Sequence, residues 1–199
     1  MSNKEIKIEL LNSDSMTIKK IVRLHKQLFD KDHFTATFSE DLLEHYFRML
    51  LDSSKFKYVA SIENDLAGYL IGGVNLDKVL SDFTKKYFLK LLHQLKSNPN
   101  FIKEKIRDLI IKIISLNRKS SAEMRLFLIA AKHTEEIKGV GKKLIQQFER
   151  ELLENKISVY GLSVRKHNSK AIDFYIQLGF IEEFRTQKSI YFIKYLSKI

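Results

Sequence analysis

Met124 to Ala131 is apolar throughout except for Arg125, and the helix-like segment after it opens on two glycines, Gly139 and Gly141. A run with no polar face to offer water belongs in the interior of a sheet, covered on both sides. A buried strand that feeds a helix commits a chain to an α/β architecture, with helices packed on the faces of the sheet.

The flanking pattern agrees. Ile6, Ile8 and Leu10 alternate with Lys7 and Glu9 as a short half-buried strand. The polar break Asn12–Ser15 leads into helical spacing from Ile18 to Phe29. A loop over about 30–37 contains His33 and Phe34, and Ser39-Glu40-Asp41 starts a second helix. Phe56–Ile62 and Leu66–Val74 read as strands joined by the turn residues Glu63-Asn64-Asp65, a hairpin signal. Gly68, Gly72 and Gly73 in the second run predict a bulge or a close backbone approach. After the central strand come a helix to about Asn155, a strand over Ser158–Val164, a short helix over Ser169–Leu178, and strands over Phe180–Phe184 and Ile190–Tyr195.

The 199 residues predict one domain, residues 1–199, interrupted at about 77–117 by a helical insertion. Two apolar stripes there, Val79 to Leu95 and Ile102 to Ile114, flank Asn98-Pro99-Asn100 and suggest a helical hairpin between strands. The absence of cysteine excludes disulfides, thiolate metal sites and a cysteine nucleophile. The histidines and carboxylates show no metal-ligand spacing, so no metal is expected. Lys4, Glu5, Lys7 and Glu9 interrupt any signal-peptide core, and no run reaches the roughly 20 apolar residues that span a membrane. A cytoplasmic protein is the expectation.

The formal charge is +11, which favours anionic partners. Eleven basic residues against four acidic ones between Asp77 and Lys119 account for most of that excess. Such a segment suits three roles: cover over a binding site, a homodimer contact, or attachment to an anionic surface. A solvated charged face over an ordinary core stripe is the plainest single reading of it. No nucleic-acid motif accompanies the charge, so nucleic acid is not the expected partner.

Gly139 and Gly141 allow a tight turn and a close approach, and the first N–H groups of the following helix are unpaired with a positive dipole end. With Lys138, Lys142 and Lys143 this is a phosphate-holding arrangement, although a plain glycine turn would look the same. It is neither a dinucleotide fingerprint nor a Walker loop.

Two motifs carry a resemblance. Glu136-Ile137-Lys138-Gly139-Val140-Gly141 falls where the GCN5-related N-acetyltransferases (the GNAT family) carry Gln/Arg-x-x-Gly-x-Gly/Ala, with Glu136 in place of Gln or Arg and His133 where many members have Pro. Asn168 through Phe180 is similar to the family's Asn-x-x-Ala-x-x-Phe-Tyr-x-x-x-Gly-Phe at every specified position. The order of elements also resembles the family from end to end, outside the 77–117 insertion. The resemblance implies a mixed α/β fold, a central mixed twisted sheet flanked by helices, and transfer of acetyl from acetyl-CoA by direct attack in a ternary complex.

It also implies site residues. Ile129, Ala130 and Ala131 would pair with the pantetheine arm. The backbone N–H groups of Ile137, Lys138, Gly139, Val140, Gly141 and Lys142 would hold the pyrophosphate, and Asn168 would contact the arm. Tyr175 would be the general acid, since an ordinary phenol is protonated at neutral pH; the alternative is an aromatic packed beside Phe174. For the base there are two readings, Glu123, which strand periodicity puts on the face of Arg125 and which pairing with Arg125 would occupy, and His33. His33 and Phe34 lie in the loop that shapes the acceptor pocket of the fold. The expected acceptor is a primary amine of a small molecule, with a nucleotide-linked amino sugar suggested by the charge together with the analogy of the family's bacterial surface-polysaccharide acetyltransferases. A protein or peptide N-acetyltransferase and a non-catalytic CoA-binding module are the alternatives.

Overall fold

The computed structural model describes residues 5–29, 33–95 and 120–197. In chain order the elements are β1 (Lys7–Leu10), α1 (Ser15–Leu28), a 3-10 turn (Phe34–Thr37), α2 (Glu40–Ser53), β2 (Phe56–Ile62), β3 (Asp65–Val74), α3 (Asp77–Lys86), α4 (Phe88–Leu95), β4 (Met124–Ala131), α5 (Val140–Glu154), β5 (Val159–Arg165), α6 (Ser169–Gln177), β6 (Ile181–Arg185) and β7 (Ser189–Tyr195). The strands form one seven-stranded sheet in the order β1-β2-β3-β4-β5-β7-β6. Neighbours are antiparallel except β4 and β5, which are parallel.

Local chemistry sets the boundaries. Asp14 caps α1 by accepting from the N–H groups of Met16 and Thr17, and Ser39 caps α2 by accepting from Leu42 N–H. Glu63 and Asn64 both adopt positive φ in the two-residue turn between β2 and β3, the conformation that matches strand twist in a tight hairpin.

The sheet separates two cores. Ile18, Ile21, Leu43, Phe47 and Phe83 of α1–α3 pack on one face with Tyr69, Ile71, Leu128 and Ala130. Val140, Leu144 and Phe148 of α5 pack on the other with Leu70, Met124, Leu126, Tyr160, Tyr175 and Phe192. Strand β4 therefore changes sides part-way along. Ile71 pairs with Leu128 while Gly72 pairs with Leu126, so Phe127 is the extra residue of a β-bulge. The bulge shifts the two-residue period by one and sends Met124 and Leu126 to one core and Leu128 and Ala130 to the other. The expected irregularities at Gly68 and Gly72 are both present, the first between Ala60/Gly68 and Ser61/Leu66. A Cβ on Gly72 would fall 2.7 Å from the Phe148 ring, so this glycine sets how closely α5 lies on the sheet.

The described part of the 77–117 segment is two short helices rather than one. Tyr87 separates α3 from α4 with its ring on His45 (centroids 5.2 Å apart). Val79, Phe83 and Leu91 join the first core, and Lys78, Lys85, Lys86 and Lys90 face outward. In these residues the charge is a solvated face over a core stripe. The second stripe, Ile102 to Ile114, lies outside the described residues.

Candidate active site

Pairing of β4 with β5 is confined to Arg125 opposite Gly161. From there β4 continues only along β3 and β5 only along β7. The strands diverge toward their C-terminal ends, and beyond that pair the edge of β4 that faces β5 has no ladder partner among the described residues. A cleft of about 300 Å³ opens at this fork, lined by Ile129, Ala130 and Ala131 from β4, by Arg165, His167 and Asn168 from the end of β5, and by Leu28, Phe29 and His33 from the end of α1 and the loop after it. An open strand edge offers N–H and C=O groups to any extended amide-bearing chain laid beside it.

The loop between β4 and α5 ends beside this fork. Gly139 is left-handed (φ 82°) and precedes α5 with no side-chain cap, and the first intrahelical bond runs from Lys143 N–H to Gly139 C=O at 3.0 Å. The N–H groups of Val140, Gly141 and Lys142 are therefore the first turn of the helix, unpaired among the described residues. Lys138, Lys142 and Lys143 are exposed around them. A Cβ on Gly141 would meet Phe174 of α6 at 3.4 Å and Ala131 at 3.7 Å, which measures how closely α5 abuts β4 and α6 here. One expected contact changes. Ile137 N–H donates to Thr134 Oγ1 at 3.1 Å while Thr134 N–H donates to Ile137 C=O at 3.0 Å, a closed turn that takes Ile137 out of the free row.

Asn168 serves two surfaces. Its Oδ1 caps α6 by accepting from Ala171 N–H at 3.1 Å, and the residue also lines the cleft. The cap uses only the oxygen, which leaves the amide hydrogens as donors.

At the other end of α6, Gly179 is left-handed (φ 83°), its N–H bonds to Ile176 C=O at 3.0 Å, and Phe180 N–H bonds to Tyr175 C=O at 3.1 Å. This is a Schellman cap, closed by the edge-to-face contact of Phe180 with Tyr175. Tyr175 is thereby fixed within the second core and is not part of the cleft wall. Burial pushes its phenol well above the usual range, so the hydroxyl stays protonated. That hydroxyl has no protein partner among the described residues. No fully buried side-chain oxygen or nitrogen there lacks a partner, so it reaches accessible space above its buried ring.

The sequence profile of the Acetyltransferase (GNAT) family matches residues 19–180, most of the chain and both motifs. The chain belongs to the GNAT acetyltransferase family. Solved structures share the fold at low identity. PaiA N-acetyltransferase from Thermoplasma acidophilum, in complex with coenzyme A, is 13% identical with a TM-score of 0.59, over 96% of this chain and 99% of that one. The ribosomal-protein-S18-alanine N-acetyltransferase from Escherichia coli is 16% identical with a TM-score of 0.57, over 98% and 96%. A NatC complex bound to a Gag peptide and CoA contains a chain 13% identical with a TM-score of 0.57, over 97% and 99%. No functionally curated protein matches in sequence.

Within this GNAT domain the remaining expected residues divide. His33 reaches the cleft wall. Phe34 does not: it packs on the first core with its ring edge-on to Phe38, centroids 4.9 Å apart. Glu123 is exposed just before the start of β4, whereas the cleft is at the strand's far end. At ~3.3 Å per residue it stands roughly 20 Å along the strand from Ile129, too far to act as a base in the cleft. Nor is it the partner of Arg125. That guanidinium bonds Ser120 Oγ at 2.6 Å and covers the Tyr191 ring at 5.3 Å. Glu183 stands behind it and accepts from Ser120 and from the N–H and hydroxyl of Ser121. Burial pushes the Glu183 carboxyl up, but those hydrogen bonds and Arg125 outweigh it and hold the group below the usual range. Arg165, His167, Leu28 and Phe29 are cleft residues that the motifs did not flag. Arg165 and His167 had a local signal, since they end the strand that runs into the Asn168 motif.

Proposed function

We propose that this GNAT domain transfers the acetyl group of acetyl-CoA to a primary amine of a small molecule by direct attack within a ternary complex in the cytoplasm. The observation that carries the reading is the open fork of β4 and β5 standing beside the unpaired first turn of α5. Their chemistry fits the donor. The N–H groups of Lys138, Gly139, Val140, Gly141 and Lys142, with three nearby lysines, would hold a pyrophosphate. The free edge over Ile129–Ala131 would pair with the amides of the pantetheine arm, and the Asn168 amide would donate to it. Acetyl-CoA supplies an activated acyl group as a thioester.

In the transfer, a neutral amine nitrogen bonds to the carbonyl carbon, the carbon–sulfur bond breaks, the nitrogen loses a proton to water, and the sulfur leaves as a thiolate that gains one. Tyr175 is proposed to meet that sulfur through its hydroxyl although its ring lies outside the cleft wall, because its phenol is protonated and that hydroxyl has no protein partner among the described residues. Backbone N–H groups at the fork would polarise the carbonyl. Arg165 and His167 in the cleft wall, with the basic balance of the chain, favour an acceptor that carries phosphate or carboxylate, such as a nucleotide-linked amino sugar.

The test is release of free thiol from acetyl-CoA with a panel of amino sugars, free and nucleotide-linked, polyamines and N-terminal peptides, alongside calorimetry with CoA. Turnover with the sugars supports the reading. Turnover with the peptides alone moves the acceptor to protein termini, and no turnover together with no CoA binding removes the enzymatic reading.

A further inference from the structure

His25 is fully buried in α1, and both of its ring nitrogens are engaged: Nδ1 lies 2.6 Å from the Tyr69 hydroxyl and Nε2 lies 2.8 Å from Thr35 Oγ1. The same Thr35 oxygen lies 2.9 Å from Nδ1 of His33. Four side chains from α1, β3 and the α1–α2 loop thus form one unbroken chain of hydrogen bonds. It begins in the core beneath the sheet and ends on His33 in the cleft wall. Phe29 stacks on the His25 ring at 4.3 Å and Phe47 meets it edge-on at 5.4 Å, so the ring cannot turn freely.

The protons in this chain can be counted. The Tyr69 hydroxyl is buried, and its one hydrogen bond among the described residues is to His25. If His25 Nδ1 carried a hydrogen, the phenol hydrogen would have no acceptor in a dry core, an unmade bond that folding does not recover elsewhere. Tyr69 therefore donates, and His25 Nδ1 accepts. Burial, with His33 and Lys26 nearby, lowers the His25 pKa to about 3, so the ring is neutral and its single hydrogen is on Nε2. That hydrogen goes to Thr35 Oγ1. The Thr35 hydroxyl has one hydrogen of its own, and the acceptor in reach for it among the described residues is Nδ1 of His33. In the neutral ring this places the hydrogen of His33 on Nε2.

We propose that the chain Tyr69→His25→Thr35→His33 fixes His33 as the Nε2–H tautomer, so that His33 serves the cleft as a hydrogen-bond donor and not as the base. Tyr69, His25 and Thr35 are positioning residues. A ring with its Nδ1 occupied by the Thr35 hydrogen and a hydrogen on Nε2 cannot take the proton of the amine. It can hold an oxygen. Together with Arg165 and His167 it makes that part of the wall a set of donors, suited to an acceptor with a carbonyl, carboxylate or phosphate oxygen near its amine. The word acceptor rests on the acetyltransferase reading above; the tautomer does not.

Long-range proton–nitrogen spectra of the whole chain labelled with 15N-histidine, at neutral pH, test this without any substrate. The expected result is a neutral Nε2–H pattern for both His25 and His33. Thr35→Val cuts the chain and should let His33 average between tautomers, with loss of its fixed inequivalent nitrogens, and Thr35→Ser should restore them. Should Thr35→Val fail to fold, the double variant His25→Phe/Tyr69→Phe keeps the ring stack, removes both polar partners together, and should release His33 in the same way. An Nδ1–H or doubly protonated His33 in the unaltered protein, or a His33 signal unchanged by cutting the chain, overturns the proposal. If no amine is acetylated while the tautomers are as expected, the acetyl-acceptor reading fails and the wire stands.

Discussion

Phe180 and Tyr175 are joined twice: the Phe180 N–H donates to the Tyr175 carbonyl at 3.1 Å, and their rings meet edge to face with centroids 5.3 Å apart. Both links depend on Gly179, whose left-handed backbone turns the chain back over the end of α6. The Gly-Phe pair of the motif is therefore the device that holds the tyrosine. Gly179→Ala should cost about 1–2 kcal/mol, the penalty of a Cβ in that conformation, because space is not the constraint: the nearest atom to such a Cβ is 4.0 Å away. A denaturant melt reads the loss of stability. Turnover should fall further than the loss of folded protein explains, since the register of Tyr175 shifts.

Tyr175→Phe isolates the hydroxyl. Among the described residues no protein group is orphaned by removing it, so stability should stay within about 0.5 kcal/mol of the parent. CoA binding measured by calorimetry should also be near normal. Turnover should drop about 100-fold or more if the phenol provides the proton for the departing sulfur. Equal turnover in the two proteins would return Tyr175 to a packing role.

Asn168 allows its two duties to be separated. Aspartate keeps an oxygen for the Ala171 N–H and should preserve α6, even favouring the positive end of the helix. It lacks the amide hydrogens proposed to face the pantetheine arm. Asn168→Asp should therefore keep the melting temperature and weaken CoA, whereas Asn168→Ala should lose about 1 kcal/mol of stability as well. Parallel melts and CoA titrations of the two variants give the comparison.

These motif positions were legible because their structural duties are local. Asn168 and Gly179 cap opposite ends of one short helix, and Gly139 starts another, so a few neighbouring residues contain the whole reason for each. The Phe127 bulge was not legible. Around Phe127 the strand is apolar at every position from Leu126 to Ala131, and no alternation remains to show where the parity changes. The break at Tyr87 was hidden in a similar way, since the apolar stripe of α3 and α4 runs on across it. The hydrogen-bonded chain to His33 joins partners 10 and 44 residues apart in sequence. Only the packing of α1 on β3 brings them together, and His33 read alone looked like a loop base. Glu123 misled by the same route: periodicity gave its face, but not its distance from the cleft.

The buried His25 makes stability depend on pH in a stated direction. In the unfolded chain its ring titrates near the ordinary ~6.5, whereas in the fold burial lowers it to about 3. Above the higher value both states are neutral at this ring, and pH has no purchase on it. Below that value the unfolded chain binds a proton that the fold refuses. Stability should then decline as pH falls, at up to ~1.4 kcal/mol per pH unit from this group, until the folded ring also titrates near pH 3. Carboxylates titrate over part of the same range, so the comparison is made between proteins. His25→Phe/Tyr69→Phe should show a flatter fall in stability between pH 6.5 and 4.5 than the parent, measured by urea melts at each pH. Equal slopes would mean that His25 accepts a proton in the folded state, and the direction of every hydrogen bond from Tyr69 to His33 would have to be drawn again.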